Sequence, residues 1–288
     1  MNIAVIRIGA DVSVIARELM MLPHDITLFG RSRREGFTIE EKGERRHYPY
    51  TIENINAYES GVFDIIFIAT KATALKSISG IIPAMAHQDT EVILCENGMG
   101  FDEYFDAPVP AVVYISGQKR EDRIEHFQDA RLLIGDRPLP YTDRIIDDLE
   151  NTTGVELEIK KTEDFRRIRH EKLLINLGIN SLTALSSNTA KIFDLENVTD
   201  LTRRLLREGL DIINRKGEII DPSFIDKALS IYQSYNREMG TSMYYDVMAE
   251  ARTEYMYIQK YFQQHKGDLD TPVLDIIVTL LDAYQYER

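Results

Sequence analysis

The chain has 288 residues, 44% hydrophobic and 28% charged, with a formal net charge of −13 and one cysteine, Cys95. That length suits one large domain or two ordinary ones, and the acidity argues against nucleic acid or an anionic membrane as a whole-surface partner. A single cysteine excludes an internal disulfide, no run approaches the ~18 apolar residues of a membrane span, and no signal segment precedes the first strand-like run, so the cytoplasm is the expected compartment.

In chain order, IAVI (3–6) predicts a first strand, and the stretch after it has helical spacing. The turn between them keeps one glycine, Gly9. A dinucleotide-binding turn reads G-x-G-x-x-G, and here Arg7 and Val12 hold the first and third glycine places. DITLFG (25–30) predicts the second strand and runs into GRSRRE, with Arg31, Arg33 and Arg34. DIIFIAT (64–70), TEVILCENG (90–98) and AVVYIS (111–116) predict three more. Short apolar runs with helical pattern between several of them indicate a mostly parallel sheet buried on both faces. RLLIGD and VELEIK, near residues 131–160, would extend it with antiparallel edges.

From about Thr162 strand signals give way to long helical patterns, ending in TPVLDIIVTLLDAYQYE with Thr271 as N-cap and Pro272 at the first helical position. The expected architecture is an α/β domain over 1–162 followed by an all-helical domain over 163–288. Ligands of open α/β sheets bind beyond the carboxyl ends of the strands, so a cleft between the two domains is the expected site.

Lys71 ends the third predicted strand and Asn97 the fourth, where a side chain would project into such a cleft; polar strand ends and an ordinary Asn-Gly turn are the plainer reading. At 100° per residue, Lys172, Asn176, Asn180 and Thr183 form one narrow stripe on a helix that is apolar in nearly every other direction. Such a stripe faces either a cavity or a thin strip of solvent. Asp246, Glu250 and Glu254 follow at i, i+4 and i+8 with Ser242 nearby; this ladder is either a solvated helix face or a source of one carboxylate to hold a lysine charged. None of the six histidines recurs at ligand spacing, and no metal is expected.

Taken together, ATKA with Lys71, ENGMG with Asn97, HEKLLINLGINSLTAL with Lys172, Asn176 and Asn180, GTSMYYD with Ser242, TEY with Glu254, and LDTP resemble the ketopantoate reductase (2-dehydropantoate 2-reductase) family over nearly the whole chain. The resemblance implies a Rossmann-type NADP-binding domain followed by a helical substrate and dimerisation domain. It also implies NADPH-dependent reduction of a small-molecule 2-keto acid, 2-dehydropantoate, to (R)-pantoate on the way to pantothenate and coenzyme A. By motif, Lys172 is then the general acid and Glu254 pairs with the substrate hydroxyl. Asn97, Asn180 and Ser242 hold the substrate with support from Asn176, and Lys71 lies on the nicotinamide side. Arg7, Gly9, Arg31 and Asn97 complete the cofactor set, with Arg31 where an acidic residue would bind the ribose of NAD, which suits a 2′-phosphate. The apolar helices leave room for a homodimer.

The departure is the opening turn. Arg7 replaces a conformationally free glycine, Asp11 adds negative charge near the pyrophosphate position, and Val12 should push the first helix away from the sheet. Two alternatives stand beside the leading one: a cofactor-impaired or non-catalytic relative that binds a small acid or nucleotide, and a reductase of another branched 2-keto acid.

Overall fold

The computed structural model describes residues 1–6, 10–58, 61–119, 122–217 and 219–287. Arg7 and Gly9 lie outside the described residues, as does the side chain of Asp11. The chain divides into two compact units, 1–96 with 101–165, and 97–100 with 166–288.

The first unit holds one nine-stranded sheet. Its strands are β1 (Asn2–Ile6), β2 (Asp25–Gly30), β3 (Arg34–Glu41), β4 (Glu44–Asn54), β5 (Phe63–Ile68), β6 (Ala86–Leu94), β7 (Val109–Lys119), β8 (Ile124–Gly135) and β9 (Glu158–Thr162). Spatial order is β3-β4-β2-β1-β5-β6-β7-β8-β9. The run β4-β2-β1-β5-β6-β7 pairs in parallel throughout. Taken in chain order these strands are arranged 3-2-1-4-5-6, the dinucleotide-binding order. β8 is antiparallel to β7, while β9 is parallel to β8, so both extra strands oppose the parallel set but not each other. The strand expected over 90–98 begins earlier and ends at Leu94.

Two features depart from the expectation. An antiparallel hairpin, β3–β4, stands where a helix would link β2 to the next parallel strand; its two-residue turn puts Lys42 at φ 51° and Gly43 at φ 83°. The sheet also closes on itself, because β3 pairs in parallel with β8 through Ile39↔Ile124, Glu40↔Glu125 and Glu41↔His126. The first helix, α1 (Ala10–Leu19), is consequently buried from Val12 to Leu19. Val12 is 2% exposed and belongs to the apolar cluster that includes Ile3, Val5 and Phe67, so its side chain fills the space between helix and sheet. Among the described residues the unit also holds α2 (Leu75–Ser79) and α3 (Pro140–Asn151). α3 begins where Glu91 of β6 accepts from Tyr141 N at 3.0 Å and Thr142 N at 2.8 Å, which satisfies free amides of its first turn.

The second unit is helical: α4 (Phe165–Ser186), α5 (Glu196–Arg215), α6 (Phe224–Ser234), α7 (Ser242–Met248), α8 (Gln259–His265) and α9 (Pro272–Gln285). Leu173, Leu174 and Leu177 of α4 join Leu205, Leu206 and Leu210 of α5 in its core. Each fully buried leucine contributes ~1.5–3 kcal/mol, so these residues fix the rotation of α4. α9 starts after Thr271 as expected, but the Thr271 side chain does not cap it. Glu208 of α5 does, accepting from Val273 N at 3.1 Å and Leu274 N at 2.7 Å. No helix among the described residues is long and apolar enough to cross a membrane.

Candidate active site

In the first unit, the ends of β1, β5 and β6 are laced together. Ala69 N donates to Ile6 O at 3.4 Å, Cys95 N to Ile68 O at 2.7 Å, and Thr70 N to the buried Glu96 Oε1 at 3.3 Å. Lys71 follows directly, exposed, at the N-cap position of a short 3-10 turn over Ala72–Ala74. Beside the ends of β1 and β2 lies a cavity of about 260 Å³. Its walls are largely apolar (Ile6, Phe29, Ile55, Ile78 and Ile81), and Arg31, Asn56 and Ser77 supply the polar side chains. Arg31 is exposed, as are Arg33, 3.6 Å from Glu35, and Arg34.

A larger cavity in this unit, about 380 Å³, contains none of the expected site residues. It lies by α1, β3 and β4 over Arg17, which pairs with Glu18 at 2.5 Å and Glu41 at 3.3 Å. Glu41 also meets His126 Nδ1 at 2.5 Å; burial pushes its carboxyl up, and these partners outweigh it to leave the group below its ordinary value. The small cavity stands at the strand ends, where ligands of this topology bind; the large one is an ion-pair cluster, and size does not make it the site.

In the second unit, the rotation of α4 sets the polar stripe. Lys172 and Asn176 are half-buried, Asn180 is 4% exposed and Thr183 fully buried. Thr183 Oγ1 lies 2.7 Å from Ile179 O and 2.8 Å from Thr241 Oγ1. Thr241 also accepts from Tyr244 N and so caps α7, whose first residue is the exposed Ser242. Thr241 thus ties the start of α7 to the stripe.

The carboxylate ladder does not exist as a helix face. α7 ends at Met248 with a Schellman closure, Ala251 N to Asp246 O at 2.8 Å and Glu250 N to Val247 O at 3.0 Å, with Glu250 at φ 52°. Asp246 is buried on the helix, Glu250 is exposed beyond it, and Glu254 is buried at 7% ahead of a 3-10 turn, Tyr255–Tyr257. That turn is anchored on α9, because Tyr255 Oη donates to Asp282 at 2.6 Å, and Lys260 Nζ reaches the other Asp282 oxygen at 2.8 Å. Burial and then the adjacent carboxylate push the Tyr255 hydroxyl well above its ordinary range, so it stays a donor.

Asn97 belongs with this unit. Met99 N donates to Tyr257 O at 2.8 Å, and Tyr257 N to Glu254 O at 2.9 Å. The Asn97–Gly100 segment is therefore hydrogen-bonded to the turn that begins at Glu254. The second unit thus gathers Asn97, the α4 stripe, Ser242 and Glu254 into linked segments, while Lys71 and Arg31 belong to the first. Sequence reasoning missed Thr241, Tyr257 and Gln259, which join the segments. Thr241 before a helix start was the one readable signal, an N-cap residue.

The sequence matches the family described as ketopantoate reductase PanE/ApbA over residues 3–138, and ketopantoate reductase PanE/ApbA C terminal over residues 164–285. It is 24% identical over 294 residues to a 2-dehydropantoate 2-reductase of Mycobacterium tuberculosis, covering 98% of this chain and 97% of that protein. Against an uncharacterized oxidoreductase of Bacillus subtilis identity is 23%, over 100% of each chain. Among solved structures, a dimeric ketopantoate reductase from Staphylococcus aureus matches with a TM-score of 0.90 and 34% identity over 99% of both chains. D-mandelate dehydrogenase with NADH and anilino(oxo)acetate shares the fold, with a TM-score of 0.87 at 18% identity over 99% of this chain and 98% of that one. The chain is an oxidoreductase of the ketopantoate reductase family.

Proposed function

We propose that the protein reduces 2-dehydropantoate to (R)-pantoate with NADPH. The observation that supports this most is the helical unit's polar stripe. Lys172, Asn176 and Asn180 share one side of α4, whose rotation is fixed by buried leucines, and a buried carboxylate, Glu254, stands in the same unit.

The residues of the α/β unit suit the cofactor. The isoleucine and phenylalanine walls of the 260 Å³ cavity accept a purine ring, and Arg31 offers a guanidinium to a 2′-phosphate. Lys71 follows the β5 strand end and is assigned to the nicotinamide side. NADPH supplies the hydride that reaches C2 of the keto acid.

The chain's own residues do the rest. Lys172 donates a proton from Nζ to the C2 oxygen as that oxygen gains negative charge, which both stabilises the alkoxide and completes the alcohol. The lysine regains its proton from water. Asn97, Asn180 and Ser242 hydrogen-bond the substrate carboxylate and hydroxyl, Asn176 supports them, and Glu254 accepts from the substrate hydroxyl. A homodimer is part of this reading, by likeness to the dimeric Staphylococcus aureus relative.

The test is fluorescence titration with NADPH, followed by NADPH oxidation across a panel of 2-keto acids that includes 2-dehydropantoate and an aryl 2-keto acid. Binding with preferential turnover of 2-dehydropantoate is expected. Turnover of other keto acids only would move the assignment to a different substrate. No NADPH binding would leave a cofactor-impaired relative, the outcome that Arg7 and Asp11 in the opening turn would favour.

A further inference from the structure

Asn180, Ser242 and Glu254 sit on three separate segments of the helical unit, and one residue outside the proposed site connects all three. Gln259 follows the 3-10 turn after Glu254, opens α8 and is 0% exposed. Its Nε2 donates to Ser181 Oγ at 3.0 Å, one residue after Asn180, and to Met243 Sδ at 3.7 Å, one residue after Ser242. Both acceptors are themselves fully buried.

The partners fix the orientation of the amide. Ser181 donates its own proton to Leu177 O at 2.5 Å, so its oxygen can only accept from Gln259, and a thioether has no proton to give. Both Nε2 protons are therefore used, and flipping the amide would place its oxygen against two acceptors. The Oε1 accepts no hydrogen bond among the described residues. A buried amide with an unmatched acceptor destabilises a core, and a methionine of similar length would fill the same space without that penalty. What the amide provides is a two-pronged link from the Glu254 segment to α4 and to α7.

We propose that Gln259 is a positioning residue that sets the mutual placement of Asn180, Ser242 and Glu254. It acts through their segments and not by contact with the substrate. The inference rests on the reading above, in which those three side chains address the keto acid.

Gln259→Met removes both donors and keeps the volume. The expected result is a folded protein with Tm at or above the parent and unchanged NADPH affinity. Its kcat/KM for 2-dehydropantoate should fall about 10- to 100-fold, the scale of a small misplacement of binding groups. Amide hydrogen exchange should quicken over residues 242–248 and 254–258. Ser181→Ala cuts one prong and should give a smaller loss of the same kind. Added to Gln259→Met it should cost nothing further, since the bond is already gone. Gln259→Glu can donate only while its carboxyl is protonated, so its kcat/KM relative to the parent should rise as pH falls. A kcat/KM within about twofold of the parent for Gln259→Met, with unchanged exchange, overturns the proposal. Should Gln259→Met fail to fold, parent-like kinetics in Ser181→Ala together with a flat relative pH profile in Gln259→Glu overturn it. Should the parent protein not reduce 2-dehydropantoate, the exchange measurement separates the two ideas. Faster exchange in both segments sustains the link and removes only the substrate reading, whereas unchanged exchange removes the link itself.

Discussion

Gly98→Ala isolates the contribution of the Asn97 loop. Gly98 has φ 104°, and a Cβ placed there would meet the Tyr257 carbonyl oxygen at 2.6 Å and Tyr257 Cβ at 2.9 Å. The nearer of these is backbone, in a turn closed by Tyr257 N to Glu254 O at 2.9 Å, so it cannot swing aside. A non-glycine residue in this region of φ costs ~1–3 kcal/mol. Lifting the loop to relieve the contact forfeits the bond from Met99 N to Tyr257 O, a further ~0.5–1.5 kcal/mol. The penalty is then about 1.5–4.5 kcal/mol. Only residues 97–100 join the helical unit here, so detaching the loop costs less than unfolding the unit. The perturbation should therefore appear in function more than in stability. In NADPH-oxidation kinetics, kcat/KM for 2-dehydropantoate should fall at least ~10-fold, since ~1.4 kcal/mol is a factor of ten. Tm should drop by only about 2–4 °C. Parent-like kcat/KM in a folded Gly98→Ala protein would refute the reasoning that this loop presents Asn97 to the substrate.

Lys172→Ala should lower kcat by ~10²-fold or more while leaving NADPH titration unchanged; near-normal turnover would remove Lys172 from the role of general acid. Arg31→Gln should weaken NADPH by roughly tenfold or more and NADH much less, and equal losses would mean that Arg31 does not read the 2′-phosphate. Asp275 is pushed up by burial but held below its ordinary 3.8 by bonds from Lys266 and Gln263. Its folded pKa lies below its unfolded one, so its contribution is present above 3.8 and is lost as pH falls through the folded value. Thermal melts from about pH 3 to about pH 6 should thus show a shallower acid decline in Asp275→Asn than in the parent. Glu250→Gly should raise Tm, because it relieves the positive φ of 52° at the α7 Schellman closure; a gain of ~0.5–1 kcal/mol is expected in denaturant melts.

The parallel strands were legible because burial on both faces leaves continuous apolar runs, as in IAVI and DIIFIAT. α4 was legible for a related reason, its leucines leaving one stripe for Lys172, Asn176 and Asn180. The β3–β4 hairpin was not read, since much of it is exposed and charged, as at Glu44, Arg45 and Arg46. Its signal was there in the alternation of buried Phe37 and Ile39 and in the Lys42-Gly43 turn. Closure of the sheet by β3 and β8 depends on pairing residues 85 apart, such as Glu41 and His126, which no local pattern encodes. The end of α7 was hidden because Glu250 stands where a glycine would announce a C-cap. Asp246, Glu250 and Glu254 therefore kept helical spacing on paper that the backbone does not keep. Gln259 was invisible for a simpler reason: a single amide between Ile258 and Lys260 reads as surface until its neighbours are known.

The central claim is that this member of the ketopantoate reductase family delivers hydride to the C2 carbonyl of 2-dehydropantoate from NADPH, with Lys172 supplying the proton. The most direct measurement is the rate of pantoate formation from 2-dehydropantoate and NADPH, with chiral analysis of the product, for the parent and for Lys172→Ala side by side. The account predicts (R)-pantoate formed in step with NADPH consumed by the parent, and its near-complete loss in the variant. NADPH binding without pantoate formation in the parent, or undiminished (R)-pantoate formation in Lys172→Ala, would contradict it.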